Sequence, residues 1–236
     1  MGPIRIHHFQ LTLFLILGSA ATLGPSHASA GPLATTNLVL NDGFGPDAGR
    51  WRGAVSIAGA AFGDTLVAEV DWAVFEHGDF QLYLNSQGIA QVDPSAAGEI
   101  VYVYQISSVT SASPGIDTLT VGVDSGDGRG TVSAPSFVPT GLPISKPPTG
   151  GGDNTTSMAW FFNGSELLGG DASDLLVFTS PFLPEFDFLQ VNSGLAGPVV
   201  SPLVASIGDR HVPEPSSLVL GLLASLGLFS RSRKYR

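Results

Sequence analysis

The chain has 236 residues, of which 43% are hydrophobic and 13% are charged, with 30 glycines, 17 prolines, no cysteine and a formal charge of −10. The lack of cysteine excludes disulfides, thiol nucleophiles and cysteine-ligated zinc or iron–sulfur centres. Residues 31–211 hold nineteen Asp and Glu side chains against five Lys and Arg side chains, a formal charge of −14. Because nucleic-acid binding requires cationic patches, this balance argues against a nucleic-acid partner.

The first 30 residues have the pattern of a secretory signal peptide. Arg5 precedes an apolar stretch over residues 9–21, and Ala28 and Ala30 flank a serine as the small-x-small cleavage rule requires. We expect export by the Sec machinery and cleavage by signal peptidase after Ala30, which leaves Gly31 as the first residue of the mature protein. An uncleaved anchor helix is the alternative.

The region that follows has the periodicity of short β-strands. In residues 66–74 the apolar side chains alternate with Glu69 and Asp71, and residues 100–106 are apolar on both faces, which is typical of a central strand. Further strands are predicted at residues 37–40, 55–58, 80–85, 118–123, 131–138, 157–163, 175–179 and 186–191. About ten strands without a sustained helical stripe predict an all-β fold, a single antiparallel β-sandwich or jelly-roll-like domain over residues 31–205.

The three tryptophans of this domain, Trp51, Trp72 and Trp160, are predicted core residues. Residues 139–152 are rich in proline and glycine, and we predict a long surface loop there. From residue 199 to residue 212 the sequence predicts a last short strand and, from residue 206, a tether to the C-terminal segment.

Few residues of the domain suggest catalysis or metal binding. His77 is the histidine inside it, in a predicted turn between two strands, where a solvated side chain is expected. Asp124 and Asp127 form a weak candidate for a calcium site because the surrounding loop lacks the further acidic ligands of an EF-hand. We expect no catalytic residue and no cofactor, with calcium as the alternative. A carboxylate pair for glycoside hydrolysis is compatible with the composition, but no pair stands out.

The C-terminal segment, residues 206–236, has three consecutive parts. Pro213, Glu214 and Pro215 are followed by an apolar segment over residues 217–230 and a basic tail over residues 231–236. The apolar segment includes Leu218, Leu220, Leu222, Leu223, Leu226 and Phe229. The basic tail includes Arg231, Arg233, Lys234 and Arg236. At ~1.5 Å per helical residue, a short transmembrane helix is predicted, with its cationic end held on the cytoplasmic side.

These three parts, in this order, resemble the PEP-CTERM sorting signal, a module also called the ice-binding protein C-terminal domain. In that family an exosortase, a membrane enzyme, recognises the Pro-Glu-Pro motif and removes the tail. The resemblance implies that Pro213, Glu214 and Pro215 are the recognition residues. Residues 217–230 are then the membrane helix, and the basic tail is the stop. In many family members the basic residues of the tail are consecutive, whereas here Ser232 and Tyr235 interrupt them.

The resemblance implies a bacterial protein that is held in the cell membrane before sorting and then reaches the cell surface or extracellular matrix. For the β-domain we expect a non-catalytic structural, adhesive or glycan-binding role, with exopolysaccharide as a partner. The alternatives are a carboxylate-based surface glycoside hydrolase and a calcium- or ice-binding module.

Overall fold

The computed structural model describes seven ranges of the chain, namely residues 33–41, 49–61, 64–123, 133–154, 156–194, 198–200 and 204–211. A short 3₁₀ helix, Leu33–Thr35, and one α-helix, α1 (Asp79–Ser86), lie among fourteen strands in these ranges. The strands are β1 (Arg52–Ala61), β2 (Asp64–Glu76), β3 (Ile100–Ser113), β4 (Thr118–Gly122), β5 (Ser136–Val138), β6 (Ser145–Lys146), β7 (Gly150–Asn154), β8 (Ser157–Phe161), β9 (Ala172–Ser173), β10 (Leu175–Ser180), β11 (Phe182–Asp187), β12 (Leu189–Asn192), β13 (Pro198–Val200) and β14 (Val204–His211).

Two five-stranded antiparallel sheets form most of the structure, so the all-β prediction is confirmed. The first sheet has the order β1-β2-β3-β10-β5, and the second has the order β13-β12-β4-β8-β7. Strands β11 and β14 form a separate antiparallel ribbon, and β6 and β9 form a short parallel pair. The predicted central strand at residues 100–106 lies in β3, between β2 and β10.

The main hydrophobic core lies between the two sheets. Alternate residues of β2, β3 and β10 from the first sheet meet alternate residues of β4, β8 and β12 from the second sheet in one cluster. All three tryptophans are buried, with exposed fractions of 1% for Trp51, 5% for Trp72 and 0% for Trp160. The prediction of a tryptophan-containing core is therefore confirmed.

A second hydrophobic cluster covers the outer face of the first sheet. Phe75, Val101 and Val103 point to this side and pack with Phe80 and Tyr83 of helix α1. The central strands of the first sheet are therefore buried on both faces, which explains why residues 100–106 are apolar at every position.

Helix α1 corrects the predicted strand at residues 80–85. The apolar alternation of Phe80, Leu82 and Leu84 fits a strand, but Leu82 is 53% exposed, whereas Phe80 and Leu84 are buried with Tyr83 at helical spacing. The left-handed Gly78, with φ of 90°, turns the chain from β2 into the helix. His77 therefore precedes a helix, and the predicted turn between two strands was wrong.

Several other predicted elements differ from the observed ones. Residues 37–40 are not in a strand, although the Leu40 amide donates to the Val74 carbonyl oxygen at 2.9 Å. The predicted loop at residues 139–152 contains β6 and the start of β7. Residues 186–191 divide between β11 and β12, and residues 206–211, predicted as tether, continue β14. Pairing with strands that are distant in sequence determines the conformation of these segments, because short strands rich in glycine, serine and proline lack strong intrinsic β-propensity.

Candidate functional site

The C-terminal ribbon of β11 and β14 is the last folded element before the Pro-Glu-Pro motif. Two fully buried tyrosines of β3 fasten this ribbon to the first sheet. The Tyr102 hydroxyl donates to the Phe182 carbonyl oxygen at 2.7 Å, and the Tyr104 hydroxyl donates to the Ala205 carbonyl oxygen at 2.5 Å. The Ser206 hydroxyl also donates to the carbonyl oxygen of Gly122, in the second sheet. The ribbon is thus bonded to both sheets.

Burial fixes the protonation of both tyrosines. Burial raises the pKa of Tyr102 and of Tyr104 well above the ordinary value. Tyr104 and Glu185 raise the pKa of Tyr102 further, whereas for Tyr104 a hydrogen bond with Ser206 opposes the increase and the charge of Asp187 adds to it. The phenols therefore stay neutral at physiological pH and remain hydrogen-bond donors to the ribbon. The sequence predicted a central strand at residues 100–106 but not these hydrogen bonds, because the acceptors lie 80 and 101 residues away along the chain.

The residues predicted to direct processing lie outside the described part of the chain. This holds for the signal-cleavage residues Ala28, Ala30 and Gly31, for Pro213, Glu214 and Pro215, and for the apolar segment and basic tail that follow. It also holds for the calcium candidates Asp124 and Asp127. Within the described residues, no helix is long and apolar enough to cross a membrane, and no cluster of three or more His, Asp or Glu side chains could hold a metal ion.

His77 belongs to a hydrogen-bonded network at the start of helix α1. Its Nδ1 atom lies 2.9 Å from the Ser95 hydroxyl, and this hydroxyl donates to the Asp93 carboxylate at 2.6 Å. The other oxygen of this carboxylate accepts a hydrogen bond from the Gly78 amide at 2.9 Å. The network fastens residues 93–95 to the helix start, and this gives His77 a structural environment that the sequence did not predict.

Asp71 is a buried carboxyl group, although the alternation in residues 66–74 predicts it on the polar face of β2. Its exposed fraction is 4%, and its Oδ1 atom accepts a hydrogen bond from the Ser107 hydroxyl at 3.2 Å. Burial raises the pKa of Asp71 from 3.8 to about 6, with the charge of Glu69 adding to the increase and the Ser107 hydrogen bond opposing it. Asp71 also helps to raise the pKa of the buried Tyr83 in helix α1, after burial itself. No sequence signal distinguishes Asp71 from the exposed Glu69 two residues earlier.

Most of the outer face of the second sheet lacks charge. Where Leu119, Val121 and Trp160 point into the core, the alternating positions of the same sheet point outward. None of the described residues at these outward positions is charged. They are Gly122, Gly150, Gly152, Asn154, Thr118, Thr120, Ser157, Ala159, Phe161, Gln190, Asn192 and Val200. At Gly122, one end of this surface, a Cβ atom would lie 2.7 Å from the Asp187 carboxyl group, so one carboxylate borders the face there. We call this surface the neutral face.

Phe161 is the aromatic residue of the neutral face on β8, and the ring of Phe188 lies beside Gly122 at the other end of the face. A Cβ atom built on Gly152 would lie 3.5 Å from the Phe161 ring, and one built on Gly150 would lie 3.9 Å from it. The ring therefore lies beside two glycines, with no side chain of β7 at these positions to cover it. Hydroxyl groups of Thr118 and Thr120, which are partly exposed, follow on β4. The surface combines an accessible ring with neutral hydrogen-bonding groups.

Comparison with known proteins gives one match. Residues 211–234 match the family described as the PEP-CTERM protein-sorting motif. No curated protein and no solved structure matches the chain. The match begins at His211, the last residue of β14, so the folded body and the sorting motif adjoin directly. The chain therefore carries a PEP-CTERM protein-sorting motif, which marks it as an exosortase-sorted surface protein.

Proposed function

We propose that this protein is an exported cell-surface or extracellular-matrix protein whose β-rich body, a single β-sandwich, has a non-catalytic role in binding neutral glycans. The sorting motif supports the destination. The neutral face is the observation that carries the binding role. In the proposed order, the Sec machinery exports the chain and signal peptidase cleaves after Ala30. The C-terminal helix then holds the chain in the membrane until an exosortase acts at Pro213–Pro215.

The charge distribution supports a neutral ligand. Residues 31–211 have a formal charge of −14, yet the described outward positions of the second sheet carry no charged side chain, and one carboxylate, Asp187, lies at the end of the face beside Gly122. An anionic polymer would be repelled by the acidic body, and a cationic partner would find a single carboxylate, Asp187, at one end of this surface. A neutral polysaccharide needs hydroxyl and amide partners and a ring to stack on, and these are the groups the neutral face offers.

The neutral face is a poor candidate for a permanent protein interface. The cores of such interfaces are rich in large apolar and aromatic residues. Here Phe161 is partly buried, and the described face has two further large apolar side chains, Val200, 59% exposed, and Phe188, 36% exposed beside Gly122. The remaining positions are glycine, alanine or neutral polar residues. We therefore propose a glycan rather than a second copy of the chain as the occupant of this surface.

Replacing Phe161 by alanine is expected to weaken binding to neutral polysaccharide about tenfold, because one stacked ring contributes about 1 kcal/mol or more. The measurement is affinity electrophoresis or calorimetry with a neutral cell-surface polysaccharide. Phe137→Ala is the matched control, since Phe137 is an exposed phenylalanine of β5 in the first sheet. Equal affinity of the Phe161→Ala and Phe137→Ala proteins would refute the role of the neutral face.

A further inference from the structure

Two polar side chains face each other in the buried outer layer of the first sheet. Asp71 of β2 and Gln105 of β3 are directly opposed in the antiparallel ladder, and such side chains share one face with Cβ atoms about 4.5–5.5 Å apart. Their exposed fractions are 4% and 1%. Ala73 and Val103, the next residues on this face, pack in the cluster that includes Tyr83 of helix α1. The two polar groups must therefore find their hydrogen-bond partners within the protein.

The side-chain amide of Gln105 lacks one partner. Its Nε2 atom donates to the Ser173 carbonyl oxygen at 3.0 Å, and because this oxygen can only accept, the nitrogen must be the atom that faces it. The Oε1 atom is buried, and no donor in the described part of the chain reaches it. A buried acceptor without a donor destabilises the folded state, so a donor is expected at this position.

The Asp71 carboxyl group can supply that donor. Its Oδ1 atom accepts from the Ser107 hydroxyl at 3.2 Å, and among the described residues no hydrogen bond reaches its Oδ2 atom. In the ionised state the group can only accept, so the side-chain oxygens of Asp71 and Gln105 are opposed without a hydrogen between them. In the neutral state Oδ2 carries a hydrogen, and one proton then satisfies both side chains.

The charged groups around the pair favour the neutral state. Glu69 lies two residues away on the same face of β2, and its charge opposes a second negative charge there. Helix α1 contributes Tyr83, a phenol. Strand β1 places Arg52 on this face, but its guanidinium group is bonded to carbonyl oxygens at the end of the 3₁₀ helix. Lys146 of β6 is paired with Asp171 at 2.7 Å. These two cations are thus bonded to other groups.

We propose that Asp71 and Gln105 form a proton-dependent hydrogen bond between β2 and β3, in which the neutral Asp71 carboxyl group donates from Oδ2 to Gln105 Oε1. Loss of the proton leaves two opposed acceptors, so the side chains move apart. Because Tyr83 packs on the residues beside this pair, we expect helix α1 to be held more tightly when the proton is bound. The pKa of about 6 for Asp71 places the change between acidic and neutral pH. The proposal does not depend on the sorting motif or on the neutral face.

Two substitutions should change the pKa of Asp71 in opposite directions. Gln105→Met keeps a buried side chain of similar length but removes the acceptor. The neutral state then loses its hydrogen bond, and the proton affinity of Asp71 should fall about tenfold, or about one pH unit. Ser107→Ala is the matched control, because the Ser107 hydroxyl stabilises the ionised state and its loss should raise the pKa.

NMR titration of the Asp71 carboxyl carbon in the purified protein measures both shifts. An unchanged or raised pKa in Gln105→Met would overturn the proposed bond. A measurement on the wild type needs no variant: the side-chain amide signals of Gln105 should titrate with the same midpoint as Asp71. Amide signals that do not respond to that titration would also overturn the bond.

Hydrogen exchange tests the effect on helix α1. Each rate is divided by the rate of the unfolded chain at the same pH, which removes the intrinsic pH dependence. In the wild type we expect the protection of the helix amides to fall at least about threefold between about pH 5 and about pH 7.5. Asp71→Asn has an amide donor at both pH values, so its helix should keep the same protection.

Glu76→Gln, at an exposed carboxyl group of the same strand, is the control for hydrogen exchange and should behave as the wild type. Wild-type pH dependence of the helix amides in Asp71→Asn would overturn the link between the proton and the helix.

Discussion

Replacing Trp160 by alanine is expected to lower the free energy of unfolding by about 3–5 kcal/mol, the range for loss of a fully buried aromatic side chain. Trp160 belongs to the second sheet, and its ring packs against Tyr104 and Phe178 of the first sheet at centroid distances of 5.9 Å and 6.2 Å. Its Nε1 atom also donates to the Ser136 carbonyl oxygen in β5 at 2.8 Å. The residue therefore joins the two sheets by packing and by a hydrogen bond.

Urea denaturation of the purified protein measures this effect as a shift of the unfolding midpoint. Trp160→Phe separates the two contributions, because it retains a ring but leaves the Ser136 carbonyl oxygen without its donor. We expect it to cost about 1–3 kcal/mol. Phe137→Ala, at a 40% exposed residue of the neighbouring edge strand, is the control and should change stability little. A loss below about 1 kcal/mol for Trp160→Ala would show that the sheets do not share the core described above.

Replacing Asp71 by asparagine is expected to stabilise the protein at pH 7.5 by up to about 3 kcal/mol. The folded-state pKa of about 6 lies above the ordinary value of 3.8. Between these pH values the folded protein retains a proton that the unfolded chain has lost, so stability falls as pH rises from about 4 to about 6. Above pH 6 the full loss is present, at about 1.4 kcal/mol for each tenfold difference in proton affinity. Asparagine has nearly the same shape and carries no charge to bury.

The measurement is urea denaturation at a series of pH values from 4 to 8. Relative to the wild type, Asp71→Asn should show a smaller fall in stability between pH 4 and pH 6, and the difference should stay constant at higher pH. Glu76→Gln is the control, because Glu76 lies on the same strand but is exposed and does not contribute to the raised pKa of Asp71. If the stability of Asp71→Asn has the same pH dependence as that of the wild type, Asp71 is not the source of the fall in stability between pH 4 and pH 6.

Hydrophobic alternation predicted those strands that have one face toward the core and the opposite face toward solvent. Strand β2 was found because Val70 and Trp72 point into the core while Glu69 points to solvent. Helix α1 was missed because eight residues with three alternating apolar side chains fit both periods, and Gly78 and the Asp93 network decide between them. Strand β7 was missed because its glycines have no side chains to show a pattern. Its pairing partner β8 determines its conformation.

The candidate sites also differ in how far they could be predicted from the sequence. The sorting motif is contiguous in sequence, so its residues could be identified without a structure. The neutral face could not, because it is assembled from five strands between residues 118 and 200, and its distinguishing property is an absence of charge at alternate positions. The tyrosine contacts to the ribbon depend on which distant carbonyl groups the fold brings near, and periodicity contains no information on that.

Intact mass of the surface-released protein, from the wild type and from a Glu214→Ala strain, tests the central claim of sorting most directly. For the wild type we expect a chain that begins at Gly31 and ends near Pro213, which retains all of β14 and lacks the apolar segment and basic tail. In the Glu214→Ala strain this species should disappear, and the full tail should remain with the membrane fraction. A full C-terminal tail in both strains would contradict processing at the motif and would make the segment a plain membrane anchor.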